Sequence, residues 1–205
     1  MPTKTFYNLP EKKRKRIIDS ALDEFSNHFY HKVSVNRIVK SAEISKGSFY
    51  QYFDDKKDLY KYIIENLGQK KVEYLNQFLA NKEEYNFFEI LEKLYEAGIK
   101  FAKDHPRFDK IGYKLYTNTD SEIFDEITKQ NKEKSIAFFE DLLAKGIKEG
   151  DVDEKIDLNL AAHIMTNTSI SLGKLFYRDG KIDEDDMELV KKMLYIFKNG
   201  LEKDK

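Results

Sequence analysis

Helix breakers are scarce in this chain: three prolines (Pro2, Pro10, Pro106) and nine glycines among 205 residues. The long tracts between them carry apolar residues at three- and four-residue steps, the period of an α-helix. No run keeps the two-residue alternation of a half-buried strand, and no internal repeat is visible. The pattern restricts the chain to an all-α architecture of about nine helices. A chain this long buries a core without metal or disulfide staples. It has no cysteine, which excludes zinc–thiolate sites, iron–sulfur clusters and thiol nucleophiles, and agrees with a reducing compartment.

Pro10 opens the first expected helix, where its missing N–H is not needed. Ile17, Ile18, Ala21, Leu22 and Phe25 mark the apolar face of that helix, opposite "EKKRKR", Asp19, Asp23 and Glu24. Ser34 is placed to cap a short second helix with Val35, Ile38, Val39 and Ala42 on one face. Glu43-Ile44 interrupts the pattern, and Ser45 caps a third helix, "SKGSFYQY". Asp55, with Asp58 three positions on, caps a fourth that runs through Ile63 and Leu67 to about Leu79. Further helices are expected at 86–104, 106–117, 120–148, 157–178 and 184–201. The breaks between them, "KDHPRF", "TNTDSE", "KEGDVDEKID" and "YRDGKIDEDD", have the Gly, Asp and Asn content of loops. Two domains are expected, 1–55 and 56–205.

Net charge is −1, but it is unevenly spread: residues 1–60 carry 12 Lys/Arg against 8 Asp/Glu, and the rest carry 24 against 29. A basic head on an acidic body suits a head that meets a polyanion. The start, "MPTKTFYNLPEKKRKR", has no apolar h-region, and no stretch approaches about 18 uncharged apolar residues. A cytoplasmic location and no membrane partner are the expectation. The four histidines (His28, His31, His105, His163) are scattered, with only His28 and His31 at a helical spacing. No G-x-S-x-G, H-E-x-x-H, phosphate-loop or dinucleotide fingerprint occurs. No catalytic residue, metal or cofactor is therefore expected.

Ser34–Ser41, a turn at Ala42-Glu43-Ile44, and Ser45–Tyr52 form a helix–turn–helix. In that motif the second helix offers its leading residues to base edges in a major groove about 12 Å wide, so its first turn must be slim and polar. Lys46, Gly47 and Ser48 meet that demand, and Gly47 does so at roughly 1 kcal/mol of helix propensity. Phe49 and Phe53, four apart, face inward; Tyr50, Gln51 and Tyr52 are expected on other faces, where a hydroxyl or amide reaches phosphate or adenine.

The stretch "ALDEFSNHFYHKVSVNRIVKSAEISKGSFYQYFDDKKDL" resembles the N-terminal signature of the tetracycline-repressor (TetR) type of transcriptional regulator, in spacing as well as residue type, over about residues 12–60. Phe29 and Glu43 stand where that signature has glycines, which implies a slightly altered turn. The resemblance implies that Lys46, Gly47, Ser48 and Gln51 face bases, and that Tyr50, Tyr52, Lys56, Ser34 and Arg37 hold phosphates, with Ser45 on the same surface. Lys56→Ala is then expected to lower the salt dependence of DNA binding by about one ion. The run Lys12–Arg16 offers further phosphate contacts.

Beyond residue 60 the resemblance rests on helical layout alone. It implies a homodimer through the last two helices, a near-palindromic double-stranded DNA operator, repression, and release by a small effector. Leu160, Ile164, Met165, Leu172 and Leu175, with Met187, Val190, Met193, Leu194 and Phe197, supply the apolar faces. Rings and polar groups in the central helices suggest an apolar or aromatic effector. The candidates are Tyr95, Phe101, Tyr113, Tyr116, Phe124, Phe138, His163 and Asn167, with Asn118, Asn131 and Thr166 as further polar groups. The fourth helix joins the two halves and is the expected lever. The competing reading is a helical scaffold that docks protein instead of DNA.

Overall fold

The computed structural model describes residues 1–78, 84–117, 122–176 and 186–200. Every regular element among them is helical. Helix α1 is Lys4–Tyr7, α2 Glu11–Asn27, α3 Val35–Ser41, α4 Lys46–Tyr52 and α5 Lys56–Phe78. Helix α6 is Phe87–Asp104, α7 Pro106–Thr117, α8 Glu122–Glu149, α9 Leu158–Phe176 and α10 Asp186–Asn199. A 3-10 turn, Tyr30–Lys32, precedes α3. The all-α expectation holds, with nine expected helices present and α1 in addition. Most of the breaks "TNTDSE" and "YRDGKIDEDD", and Asn118, lie outside the described residues.

The chain forms two compact units, Met1–Lys70 with His105–Ile127 and Lys71–Asp104 with Thr128–Lys205. In the first, the apolar stripe of α2 meets α3, α4 and α5 over Ile17, Ala21, Phe25, Ile38, Phe49, Phe53 and Leu59, each at most 2% exposed. Helix α7 adds Ile111 and Leu115 to the same core. Its register on α2 is set by charge. Arg107 donates through Nη1 to Asp23 (2.9 Å) and through Nη2 to Asp19 (3.0 Å). Two turns on, the Lys114 ammonium donates to the Ser26 carbonyl, a cation at the C-terminal end of α2 where the helix dipole favours one. Lys57 and Lys61 converge on Glu126.

The second unit packs α6, α8, α9 and α10 around Phe87, Leu91, Phe139, Leu143, Met165, Leu172 and Val190. Gly146 of α8 allows the closest approach: a Cβ there would lie 2.7 Å from Val152 and 3.1 Å from Phe87. The Asp151 carboxylate accepts the Phe87 N–H (2.9 Å) and so caps α6. Asp157 accepts the Leu160 N–H (2.9 Å) and does the same for α9.

Candidate nucleic-acid interface

Helix α4 is only seven residues long, and its N-terminal end is closed by side-chain chemistry. Ser45 Oγ accepts the Ser48 N–H at 3.0 Å and lies 2.8 Å from Ser48 Oγ, so both hydroxyls are engaged in the N-cap. Phe49 and Phe53 are fully buried. Lys46, Gly47, Tyr50 and Gln51 are exposed. Positions 46 and 50, and 47 and 51, are four apart, so these residues form one continuous outward face. Tyr50 is half exposed, its ring edge-on to Phe49 at 5.2 Å.

Gly47 has no reason of its own within the fold. A Cβ added there would meet only Ser45 Oγ, at an ordinary 3.8 Å. Its backbone takes helical, not left-handed, geometry. The chain thus forgoes roughly 1 kcal/mol of helix propensity on an exposed face. The missing side chain leaves the backbone there open to close approach.

Three expected phosphate holders are placed differently from the expectation. Tyr52 is 4% exposed. It stands three residues, about 60° in angle, from Phe49 and therefore shares the buried side, where its ring lies 6.2 Å from Phe6. Arg37 forms a fork on Glu24, with Nε donating to both carboxylate oxygens (2.9 and 3.0 Å) and Nη2 also to the Lys32 carbonyl (2.7 Å). Lys56 donates to the carbonyls of Tyr30 (2.8 Å) and Val33 (3.2 Å) and sits 4.4 Å from the Tyr30 ring centroid. Burial holds its pKa below the ordinary lysine value, only partly offset by Glu24. Ser34 occupies the N-cap position of α3, but its side chain makes no cap bond; its amide donates to Glu24 Oε1 at 2.9 Å.

Glu24 is thus the hub of the motif, and the sequence reading missed it. Burial alone would raise its pKa, but the Arg37 guanidinium, the Ser34 amide and His28 outweigh that and leave it below the ordinary carboxylate value. The available signal was position: Glu24 falls on the Ile17–Ala21–Phe25 side of α2, where an acid needs a partner.

The two absent glycines have different outcomes. Glu43 takes the left-handed conformation at φ 51°, the one described non-glycine residue with positive φ, so the turn keeps its shape at a cost of roughly 1 kcal/mol. Its carboxylate accepts Arg16 Nη1 at 2.7 Å. Phe29 has φ −63°, which any residue adopts, and its ring stacks on His31. Within the run 12–16, Arg14 donates to the Tyr7 carbonyl (3.0 Å) and Arg16 to Glu43, while Lys12 and Lys15 are exposed.

The effector candidates do not form one constellation within either unit. Tyr113, Tyr116 and Phe124 belong to the first unit and Tyr95, Phe101, Phe138, His163 and Asn167 to the second. In the second, Phe101 is buried with its ring edge-on to Tyr74, and Phe138 is 43% exposed. Asn167 lies on the outward stripe of α9 with Leu160, Ile164, Ser171 and Leu175. The inward face of α9 carries polar groups in an apolar core. Ser169 Oγ is 2.7 Å from the Tyr95 hydroxyl, and one turn earlier Thr166 Oγ1 is buried with no hydrogen-bond partner. A recess in the first unit, lined by Phe25, His28, Tyr30, Tyr60 and Lys114, has about 10 Å³ of room, enough for roughly one water. Among the described residues no cluster of three or more His, Asp or Glu is placed to hold a metal. No described helix is long and apolar enough to cross a membrane.

Residues 17–63 match the family of bacterial regulatory proteins, tetR family, and residues 85–202 match the tetracyclin repressor-like C-terminal domain. The crystal structure of a TetR family transcriptional regulator from Chloroflexus aurantiacus is 32% identical with a TM-score of 0.68, covering 100% of both chains. The Staphylococcus epidermidis negative transcriptional regulator IcaR of the biofilm operon icaADBC is 31% identical over 108 residues, 53% of this chain and 54% of IcaR. The transcriptional regulator FadR from Bacillus subtilis, solved in complex with stearoyl-CoA, shares the fold at a TM-score of 0.74 and 20% identity, over 92% of this chain and 99% of FadR.

Proposed function

The chain belongs to the TetR family of regulators, and from that premise we propose that it is a repressor whose α4 reads a near-palindromic operator as a homodimer. The observation that carries this is the outward face of α4, where Lys46, Gly47, Tyr50 and Gln51 are exposed and Gly47 meets no internal need. Lys46 supplies charge, Gln51 an amide suited to adenine, and Tyr50 a phosphate donor. Residues 1–55 do the reading, and 56–205 dimerise and receive the effector. Lys12 and Lys15 add phosphate contacts, whereas Lys56 and Tyr52 hold the reading surface in place from behind, and the half-exposed Arg37 and the Ser34 amide do so through Glu24. IcaR, similar over half of this chain, is a negative regulator, which favours repression here. Acting on DNA puts the protein in the cytoplasm.

Dimerisation uses the outward stripes of α9 and α10. Leu160 (57%), Ile164 (49%) and Leu175 (38%) are exposed on α9, and Tyr195 (67%) and Ile196 (46%) on α10. Met165, Leu172, Val190, Met193 and Leu194 are absorbed by the core and contribute only indirectly. A second copy applying the same stripes would close a four-helix contact.

The effector is a small, largely apolar molecule that meets the inward face of α9, where the unpartnered Thr166 hydroxyl and the Tyr95–Ser169 pair offer it hydrogen bonds. It releases DNA only by binding the DNA-incompetent form more tightly than the competent one. Helix α5, which runs from one unit into the other, is the proposed lever. Selection of random duplex DNA by the purified protein tests the reading. Enrichment of a near-palindrome with half-sites about one DNA turn or slightly more apart is expected. Recovery of no enriched sequence would overturn it.

A further inference from the structure

We infer that the N-terminal turn, residues 3–9, is a brace for the recognition helix, with Thr3 and Phe6 as positioning residues; this builds on the reading of α4 as the DNA-reading element. A helix of seven residues is not stable alone in water. Its last carbonyls also lack partners within the helix. In α4 the Phe49 carbonyl is met by the Phe53 N–H at 2.9 Å. The last two carbonyls of the helix are met from outside by one residue. Thr3 Oγ1 donates to the Gln51 carbonyl at 2.7 Å, and the Thr3 N–H donates to the Tyr52 carbonyl at 2.9 Å. The end of α4 opposite its Ser45 cap is therefore closed by a residue 48 positions away.

Thr3 is held there by its own neighbours. Phe6 is 0% exposed, with its ring 4.9 Å from Phe53, 5.6 Å from Tyr62 and 6.2 Å from Tyr52. The Phe6 N–H returns to the Thr3 carbonyl at 3.0 Å, and Arg14 Nη1 on α2 donates to the Tyr7 carbonyl at 3.0 Å. Each end of the brace is thus fixed, one on α4 and one on α2. The residues at the braced end of α4 include Tyr50 and Gln51, half of the outward face. If that end frays, the fraction of molecules competent to bind falls, and apparent affinity falls in proportion.

Three variants of the full chain separate the brace from general stability. Thr3→Ser keeps both donors, Thr3→Val removes the hydroxyl, and Thr3→Pro removes the hydroxyl and the N–H at a φ of −72° that proline already prefers. Amide hydrogen exchange over residues 46–53 of the free protein and affinity for the selected duplex are measured for each. Thr3→Ser should match the parent in both. Thr3→Val should speed exchange about fivefold, the equivalent of roughly 1 kcal/mol for one hydrogen bond, and weaken binding by at most that factor. Thr3→Pro should speed exchange about 25-fold and weaken binding by more than Thr3→Val does, and exchange in α9 and α10 should stay unchanged throughout. Parent-like exchange over 46–53 in Thr3→Pro overturns the brace. Faster exchange over 46–53 in a protein that selects no duplex upholds the brace and overturns α4 as the reading element.

Discussion

The two compact units present different outward helix faces. In the first, charges and backbone groups close on one another. Glu24 takes Arg37 and the Ser34 amide, Lys56 takes two carbonyls, Arg107 takes Asp19 and Asp23, and Thr3 takes the end of α4. On α4 it leaves outward a small mixed face, Lys46, Gly47, Tyr50 and Gln51. The second unit instead leaves large apolar side chains outward, Leu160, Ile164, Leu175, Tyr195 and Ile196. Apolar stripes of that kind gain most by meeting a like surface, whereas a slim polar face over a rigid core suits a groove of base edges and phosphates. The difference suits the roles proposed for the two units, assembly for one and reading for the other.

The largest expected effect breaks the second unit's role. Ile164→Arg places a charge at the centre of the proposed dimer contact and should weaken self-association at least about 1000-fold, roughly 4 kcal/mol. Sedimentation velocity should show a monomer whose first unit keeps its helical signal. An unchanged dimer would remove the α9 stripe from the interface.

The next effect tests whether the first unit depends on its closed polar network. Glu24→Ala should cost about 2 kcal/mol at neutral pH, because Arg37 and the Ser34 amide lose their acceptor. The folded pKa of Glu24 is below its ordinary value of 4.5. Its contribution is therefore complete above pH 4.5 and lost as pH falls through the depressed value. The variant should show a flatter stability profile across that acid range, read by denaturant unfolding; an identical profile contradicts the hub role.

Gly47→Ala sharpens the contrast between folding and reading, because the two should move in opposite directions. Stability should rise by about 0.5–1 kcal/mol, while duplex affinity should fall about tenfold as the added methyl meets the groove. Undiminished affinity would mean that nothing approaches Gly47. The smallest effect concerns two lysines. Lys46→Ala should lower the slope of log affinity against log salt by about one. Lys56→Ala should leave the slope unchanged while weakening affinity through the loosened Tyr30–Val33 segment. Equal slope changes would return Lys56 to the DNA contacts.

Most of the helical layout was legible because long breaker-free tracts carry an unambiguous 3.6-residue period, and because Ser45 and Asp55 are local caps. Helix α1 was not legible: at four residues it has no period to read, and tertiary contacts through Phe6 and Thr3 hold it. The outward face of α4, Lys46, Gly47, Tyr50 and Gln51, followed from helical angle. Tyr52 failed on the same arithmetic, since a step of three residues returns nearly to the starting face. Arg37 and Lys56 read as available cations because their partners lie 13 residues away at Glu24, and 26 and 23 away at Tyr30 and Val33. The effector residues were least legible. Aromatic periodicity tells which face of a helix is apolar, but not which helix covers it, and so Tyr113, Tyr116 and Phe124 fall in a different unit from Tyr95 and Phe101.

The most direct test of the central claim compares binding to two duplexes at one fixed salt concentration, one with the selected palindrome and one with a single half-site scrambled. If α4 reads each half-site within a dimer, scrambling one should weaken binding at least about 100-fold, with two chains bound to the intact site. Equal affinity for the two duplexes would contradict it.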